Sequence, residues 1–437
     1  MIFHKRYELM ICISHKSLSC ILGLFCIFIA CQSRKNNDQS SVASNTQFHV
    51  EAFREINLAD HLSDCGEELL MSLFIEDVEY IKPETTDQSL IGYISKIQLT
   101  PHFLFVKSDG ENSLIKMFSR DGAYIRSLGK LGQGPGETNT ILGFSATDSL
   151  VYVKAAYRSG FFVYRVHDNQ FIQKIVPSKD FEALMSASAD FDLLNNNIVC
   201  YPGFIPEGQL FPQYVSTVCI VGTDGTVVTN QSPYLGSSFY ANCPQFVMID
   251  RPRHWFYDNS YNAYSVINDT IYGVSLDSIF PRYHLNLGRY KLPVSEYQIS
   301  RQSRRENYIL MMAIAETKDF LLLTYVYGKR WWYSFFNKQT GGVKSWSQSS
   351  DKIGGWFALD TPGITNDIDG GVNIGGFRYI DDRHVYSIID VVQADKLKAT
   401  IKDAKVKFPE KKAELMRLLD EMGEDDNPII AIYKLKN

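Results

Sequence analysis

From residue 69 to the C-terminus, apolar and polar residues alternate in short stretches of roughly four to eight positions, each ended by turn residues, which is the period-two signature of strands. The stretches 69–75, 78–81, 91–99, 103–106, 114–118 and 123–128 make a first module, with turns at Asp109-Gly110 and Asp121-Gly122. A second covers 141–144, 150–153, 161–166 and 171–175, turning at Asp168-Asn169. The third holds 198–201, 214–221 and 227–228 around Asp224-Gly225, and the fourth 255–257, 264–267 and 270–274 around Asn268-Asp269. A fifth has 320–327 and 331–336 before Thr340-Gly341-Gly342, and a sixth 370–377, 384–391 and 429–435. Such modules recur roughly every 60 residues, and a small sheet cannot bury both of its faces alone. Arranged radially, the sheets cover one another and keep their edges short. The pattern predicts an all-β fold, a β-propeller with a few peripheral helices, with a multi-sheet sandwich as the alternative. The period alone does not give the number of blades.

Two segments read as helices instead. Residues 294–315 carry Arg301, Arg304 and Arg305 beside Tyr308, Leu310 and Met311, and are expected to form a surface helix with the arginines on its solvated face. Near the C-terminus Pro409 suits a first helical turn, Leu415, Leu418, Leu419 and Met422 share one face, and Gly423 can stop the helix. That apolar stripe is expected to dock on the propeller. Asn427-Pro428 then leads into 429–435, placed to close the ring beside the first blade.

Between the first and second modules lies Gly129-Lys130-Leu131-Gly132-Gln133-Gly134-Pro135-Gly136-Glu137. A phosphate loop of this glycine content would need Lys-Ser or Lys-Thr after its last glycine, and a dinucleotide loop would open a helix. Here Pro135-Gly136-Glu137 follows and a strand lies ahead, so the stretch reads as a structural crossing between blades.

The composition suits this architecture. Of 437 residues, 13% are aromatic, with 25 Tyr and 27 Phe, side chains that pack well on pleated surfaces. The formal net charge is -5 and no long basic run occurs, which argues against nucleic acid as a partner, since phosphate binding needs a concentrated cationic footprint.

The N-terminus adds an address. Lys5, Arg6, His15 and Lys16 precede an apolar run over 18–30, too short for a bilayer span of roughly 20 residues but suited to a signal-peptide core. It ends at Ile27-Phe28-Ile29-Ala30-Cys31, which resembles the lipobox of bacterial lipoproteins, with Phe28 where an aliphatic residue is preferred; the other reading is an ordinary cleaved signal peptide with a bystander cysteine. The expected organisation is a lipoprotein signal peptide over 1–30, a lipid attachment at Cys31, a flexible polar tether over 31–50, and a single propeller domain over 51–437. Gln32 stands where Asp would favour retention in the inner membrane, which favours the outer membrane. Beyond the leader, Cys200 and Cys219 fall on neighbouring predicted strands, where they either pair in an oxidising compartment or stay as separate buried thiols.

Motifs for chemistry are sparse. Asp367-Ile368-Asp369-Gly370-Gly371 has the look of a calcium loop, but Arg378 stands where a bidentate Glu is wanted, so it reads as a tight acidic turn. The histidines after Cys31 (His49, His61, His102, His167, His254, His284, His384) are scattered, and no His-Glu-x-x-His or Gly-x-Ser-x-Gly occurs. No catalytic residue, metal ligand or cofactor is therefore assigned, although a propeller site can assemble from one residue per blade. Trp331-Trp332-Tyr333 is the densest aromatic cluster; consecutive strand residues point to opposite faces, so it is expected to fill space between blades. The loop 201–211 is rich enough in aromatics to line a binding face.

Several segments carry a family resemblance. Phe118-Ser119-Arg120-Asp121-Gly122, Ile125 and the glycine crossing resemble the first blade of exported six-bladed β-propeller lipoproteins of Gram-negative gut anaerobes, which are similar to NHL-type propellers. Glu84 to Gly92, Asn268-Asp269-Thr270-Ile271-Tyr272 with Pro281-Arg282-Tyr283 and Leu287-Gly288, Asn366 to Gly371, and the ending from Asn427 to Lys436 also fit, so the likeness covers about 66–437. The resemblance implies six blades and a periplasmic or surface setting; it brings no catalytic residues. The expected function is a lipid-anchored, non-catalytic module that binds an envelope protein or carbohydrate ligand at the outer membrane. The alternative is a propeller enzyme, a lactonase-like hydrolase or a lyase, with a metal in its central channel. A third expectation is a sensing or scaffold subunit that works only with a partner.

Overall fold

Six four-stranded antiparallel modules account for nearly every strand of the computed structural model, and one of them gains a fifth strand. The structure describes residues 53–109, 114–155, 160–177, 190–201, 218–231, 253–257, 260–265, 269–276, 278–293, 306–349, 363–375, 379–381 and 383–436. Blade 1 is β3 (Ile94–Leu99), β4 (Phe103–Ser108), β5 (Ile115–Ser119) and β6 (Tyr124–Leu128), and blade 2 is β7 (Ile141–Ala146), β8 (Leu150–Ala155), β9 (Phe161–Arg165) and β10 (Phe171–Ile175). Blade 3 is β11 (Asp190–Leu194), β12 (Asn197–Tyr201), β13 (Val218–Val221) and β14 (Val227–Gln231). Blade 4 is β15 (Arg253–Tyr257), β16 (Ser260–Ser265), β17 (Thr270–Val274) and β18 (Ile279–Asn286), extended by the parallel strand β1 (Arg54–Asn57). Blade 5 is β19 (Leu310–Glu316), β20 (Phe320–Tyr327), β21 (Arg330–Asn337) and β22 (Val343–Ser349). Blade 6 joins β23 (Tyr379–Ile380), β24 (His384–Ile389) and β25 (Ile429–Leu435) to β2 (Ile75–Ile81). The protein is a six-bladed β-propeller: the alternating pattern predicts the propeller, and the family resemblance its six blades.

Each core lies between two blades. Six buried clusters pair blade 1 with 2, 2 with 3, 3 with 4, 4 with 5, 5 with 6 and 6 with 1, so the ring closes on itself. Blade 5 shows the mechanism. Trp331, Tyr333 and Phe335 of β21 face blade 6, while Trp332 and Phe336 face blade 4, because alternate residues of a strand point to opposite faces. Trp331, Trp332 and Tyr333 are all buried, as expected of side chains that fill inter-blade space, each large ring adding on the order of 2 kcal/mol of apolar burial.

The ring is sealed by pairing β2, near the start of the described chain, with β25 at its end: Ile75 lies opposite Leu435 and Ile81 opposite Ile430. The C-terminal strand thus takes the expected closing role beside blade 1, but 78–81 belongs to the sixth sheet rather than to the first module. The stretch 69–75 is not one strand: Met71–Leu73 forms a 3-10 turn before β2, with Met71 buried and Leu73 exposed.

The largest correction concerns 294–315. Residues 294–305, with all three arginines, lie outside the described residues, and Leu310–Glu316 is the inner strand of blade 5 rather than part of a helix. Its run Leu-Met-Met-Ala-Ile-Ala has helix-forming side chains, but an inner strand covered on both faces also reads as a continuous apolar run, and tertiary packing decides. In blade 6 the strand expected over 384–391 stops at Ile389, where Asp390 accepts a hydrogen bond from the Gln393 N–H at 2.8 Å and caps helix α1 (Val391–Thr400). Helix α2 (Pro409–Asp420) starts at its proline as predicted, and Leu415, Leu418 and Leu419 dock it on the core between blades 5 and 6. No described helix is long and apolar enough to cross a membrane.

Candidate functional site

The connections between strands are sharply unequal on the two sides of the ring. On one side, joining first to second and third to fourth strands within a blade, every connection between the described strands has two to five residues. Of the twelve connections between described strands on the other side, four are short (109–114, 156–160, 266–269 and 328–329), and eight, 82–93, 129–140, 176–189, 202–217, 232–252, 287–309, 350–378 and 390–428, have a dozen residues or more. The glycine crossing and the α1–α2 hairpin both belong to this long-connection side.

The crossing is a built feature of the first-to-second blade step. The Thr138 N–H donates to the Lys130 carbonyl at 2.9 Å and the Gly132 N–H to the Thr138 carbonyl at 3.2 Å, folding the loop back on itself. Glu137 closes it, its carboxylate accepting from the Gly134 N–H at 2.9 Å. Gly136 has φ +74°, and a Cβ there would run into the Phe171 ring, so both the backbone angle and the space require glycine. The Tyr164 hydroxyl donates to the Gly136 carbonyl at 2.6 Å. These contacts use the polar groups of the loop internally, which agrees with a structural crossing rather than a phosphate cradle.

In the central channel, three inner strands bring together Lys96 of blade 1, Asp192 of blade 3 and His254 of blade 4. The Lys96 ammonium donates to Asp192 Oδ1 and to the Phe191 carbonyl, both at 3.2 Å, and lies 5.8 Å from the centre of the Phe144 ring. His254 Nε2 stands 3.6 Å from Asp192 Oδ2, with its ring stacked on Tyr261. All three side chains are about one-fifth exposed, at 23%, 19% and 20%. Nearby, the Gln98 amide donates to the Ala146 carbonyl at 2.7 Å and accepts from the Ala146 N–H at 2.9 Å. An innermost strand has one edge without a neighbouring strand, and Gln98 and Lys96 satisfy backbone groups there. The cluster is therefore a stitch between blades as well as the only convergence of titratable groups from three inner strands among the described residues.

A second charged cluster is buried between blades 4 and 5. Arg282 forks onto Glu316 with nitrogen–oxygen distances of 2.8 and 3.0 Å, the Trp255 indole donates to the same carboxylate at 2.8 Å, and Lys338 Nζ lies 2.7 Å from it. Arg282 also donates to Asn262 Oδ1 at 2.6 Å. This fixed, bidentate arrangement ties β15, β16, β18 and β19 together. Elsewhere Lys154 is buried between blades 2 and 3 with its ammonium 5.4 Å from the Phe161 ring, and burial pushes its pKa down to about 8.

The acidic turn 366–371 is a structural joint. Asp367 accepts from the Ser72 N–H at 2.9 Å, Asn366 Oδ1 accepts from the Ile368 and Asp369 N–H groups, and Asp369 accepts from Gly371 N–H and the Tyr80 hydroxyl. Burial raises the Asp369 pKa to about 6. Its oxygens are thus spent on the protein, and Arg378 lies outside the described residues.

The remaining expected features are dispersed. Cys31, the tether and the loop 202–211 lie outside the described residues. Cys200 and Cys219 face each other across β12 and β13 as free, buried thiols, with pKa values raised by burial. His102 pairs with Asp148 at 2.9 Å and His384 with Asp381 at 3.1 Å, each within the short-turn side. Among the described residues no three His, Cys, Asp or Glu side chains are grouped as a metal site would need. Sequence reading missed Lys96 and Asp192 and named His254 only as one of several scattered histidines. No local motif joins them, since 96 positions separate Lys96 from Asp192.

Comparison with known proteins bears on the same architecture. A Bacteroides fragilis protein described as exported has a similar solved structure, with a TM-score of 0.57 at 15% identity, covering 88% of this chain and 99% of that one. Two others are more distant and carry no argument: PorZ, a surface component of the type-IX secretion system of Porphyromonas gingivalis (TM-score 0.33, 8% identity, 60% of this chain and 29% of that one), and a glucose dehydrogenase-type oxidoreductase of Thermus thermophilus (TM-score 0.34, 10% identity, 81% and 99%). No curated protein matches the sequence. Residues 53–434, which span all six blades, match the family described as a domain of unknown function, DUF4934, and the chain belongs to that family.

Proposed function

We propose that the protein is a non-catalytic binding module of the cell envelope, anchored through a lipid on Cys31 at the outer membrane, that takes a protein or carbohydrate partner on its long-connection side. The observation that carries this reading is the inequality of the connections. One side is trimmed to turns of two to five residues, while the other carries eight connections of a dozen residues or more on the same rigid ring. Loops held by a rigid scaffold are where binding surfaces are built. The export of a structural neighbour supports an envelope location. In the channel Asp192 is engaged by Lys96 and His254, which stitches blades 1, 3 and 4 together. An enzyme using a channel metal is the less favoured reading, because the described residues assemble no ligand set of three.

The anchor has a direct test. Cells expressing the protein are fed a clickable fatty acid, and the purified chain is read for label. The expected result is label on the wild type and none on Cys31→Ala; an unlabelled wild type, or equal label on both, would remove the anchor from this account.

A further inference from the structure

The α1–α2 hairpin carries a charge that the rest of the molecule does not share. Between 396 and 412 there are seven lysines against two acids, Asp403 and Glu410, an excess of five positive charges in a chain whose formal net charge is -5. The inner face of the hairpin is spent on the core, through Ala394, Leu397, Ile401, Leu415, Leu418 and Leu419. Its outer face holds Lys396, Lys402, Lys405 and Lys407, all exposed, and half-buried Lys398. None of these five forms an ion pair among the described residues. Lys412 fastens the turn instead, donating to the carbonyls of Lys402 at 2.8 Å and Ala404 at 2.9 Å, which holds 402–405 against α2.

A cationic face on which five lysines outnumber the exposed acids Asp395 and Asp403, in an otherwise acidic protein, fits an anionic partner. The chemistry of the face narrows the class. Lysines are compact, hydrated point charges on flexible stems, suited to charges spaced along a chain rather than to fixed bidentate pairing. A protein interface would want aromatic or Arg anchors at its centre, and lysine is depleted there. An interfacial membrane helix needs a free apolar face, whereas here only Val392 is strongly exposed. Single-stranded nucleic acid would want exposed rings for base stacking, and the stretch 391–407 contains none. We propose that the outer face of the α1–α2 hairpin binds an extended acidic polysaccharide, one with a carboxylate or phosphate on its repeating unit. This rests on the reading of the long-connection side as the binding face.

The test uses the full chain carrying Cys31→Ala, so that no acyl group contributes, and titrates it with polygalacturonate and with neutral dextran. Binding to polygalacturonate alone is expected, weakening at least tenfold between 20 and 300 mM salt as the charges are screened. The variant K396E/K402E/K405E/K407E should lose at least tenfold in affinity while keeping its far-UV circular dichroism and melting temperature. Should that variant misfold, K405Q/K407Q, which leaves the hairpin contacts untouched, is expected to lose at least threefold. Equal binding of dextran, affinity indifferent to charge reversal, or tighter binding to vesicles with 30% phosphatidylglycerol or to duplex DNA would overturn the proposal. If polygalacturonate fails while an envelope partner still cross-links to the long-connection side away from the hairpin, this inference falls and the broader reading stands.

Discussion

Lys154 shows how much a single buried charge weighs in this fold. Its ammonium is desolvated between blades 2 and 3, and its pKa of about 8 lies well below the usual lysine value of 10.5. The folded state thus pays to keep this lysine charged below pH 8, while the unfolded chain holds its proton up to about pH 10.5. Replacing it with an uncharged side chain of similar length removes that cost. Lys154→Met is expected to be more stable than the wild type at pH 7, by up to about 3 kcal/mol on the scale of 1.4 kcal/mol per unit. The advantage should be full below pH 8 and fade as pH rises towards 10.5. Urea unfolding of both proteins at pH 7 and pH 10 checks it; a variant less stable at pH 7, or a pH-independent difference, would contradict the desolvation argument. At this scale the sequence is least informative, because Lys154 sits in an ordinary alternating strand. The same is true of the channel cluster, where only the ring closure carries Lys96, Asp192 and His254 to one place.

Among the elements, the last turns of blades 1, 2 and 3 are each locked onto the preceding blade by a recurring contact. Gly122, in the last turn of blade 1, sits beneath the backbone of Lys82 at the end of β2, and its carbonyl accepts from the Glu84 N–H at 2.8 Å. Gly225 in the last turn of blade 3 meets Val176 after β10 in the same way. Between blades 1 and 2 the lock is a side chain: Asn169, at φ 55°, accepts from the Gly129 N–H at 3.0 Å and donates to the Gly129 carbonyl at 3.1 Å. Asn169→Ala gives up both bonds and a residue that tolerates the left-handed region, and is expected to cost about 1–3 kcal/mol. Asn169→Gly keeps the backbone freedom and should cost less. Chemical denaturation of the two variants separates the bonds from the backbone term; no loss in either would show that the lock adds nothing.

Elements with turn signals were legible in the sequence. The hairpins at Asp121-Gly122 and Asp224-Gly225, the glycine crossing, helix α2 and the C-terminal strand all stand where the pattern places them. Strands without such signals were not. β11 reads Asp-Phe-Asp-Leu-Leu, and β18 contains Pro281, which is tolerated because β1 pairs only from Tyr283 onward, beyond the proline. β19 has the composition of a helix and becomes a strand because two neighbouring blades cover it.

For the whole molecule, the ring explains why binding determinants escape a motif search. Six inter-blade cores fix the strands, the short-turn side contributes little beyond turns, and the long connections carry most of the remaining chain, with α2 among them docked on the core between blades 5 and 6. Family membership and fold are therefore readable, whereas the partner is written in loops and in side chains distant in sequence. The account stands on the claim that the long-connection side is the working face. Photo-crosslinking amino acids placed singly at exposed positions of each side, Asp87, Gln133 and Lys405 on the long side and His102, Asn195 and Lys318 in first-to-second-strand turns on the short, test it in intact cells. The account predicts adducts to envelope protein or polysaccharide from the long-side positions and none from the short-side ones. Adducts confined to His102, Asn195 and Lys318 would contradict it.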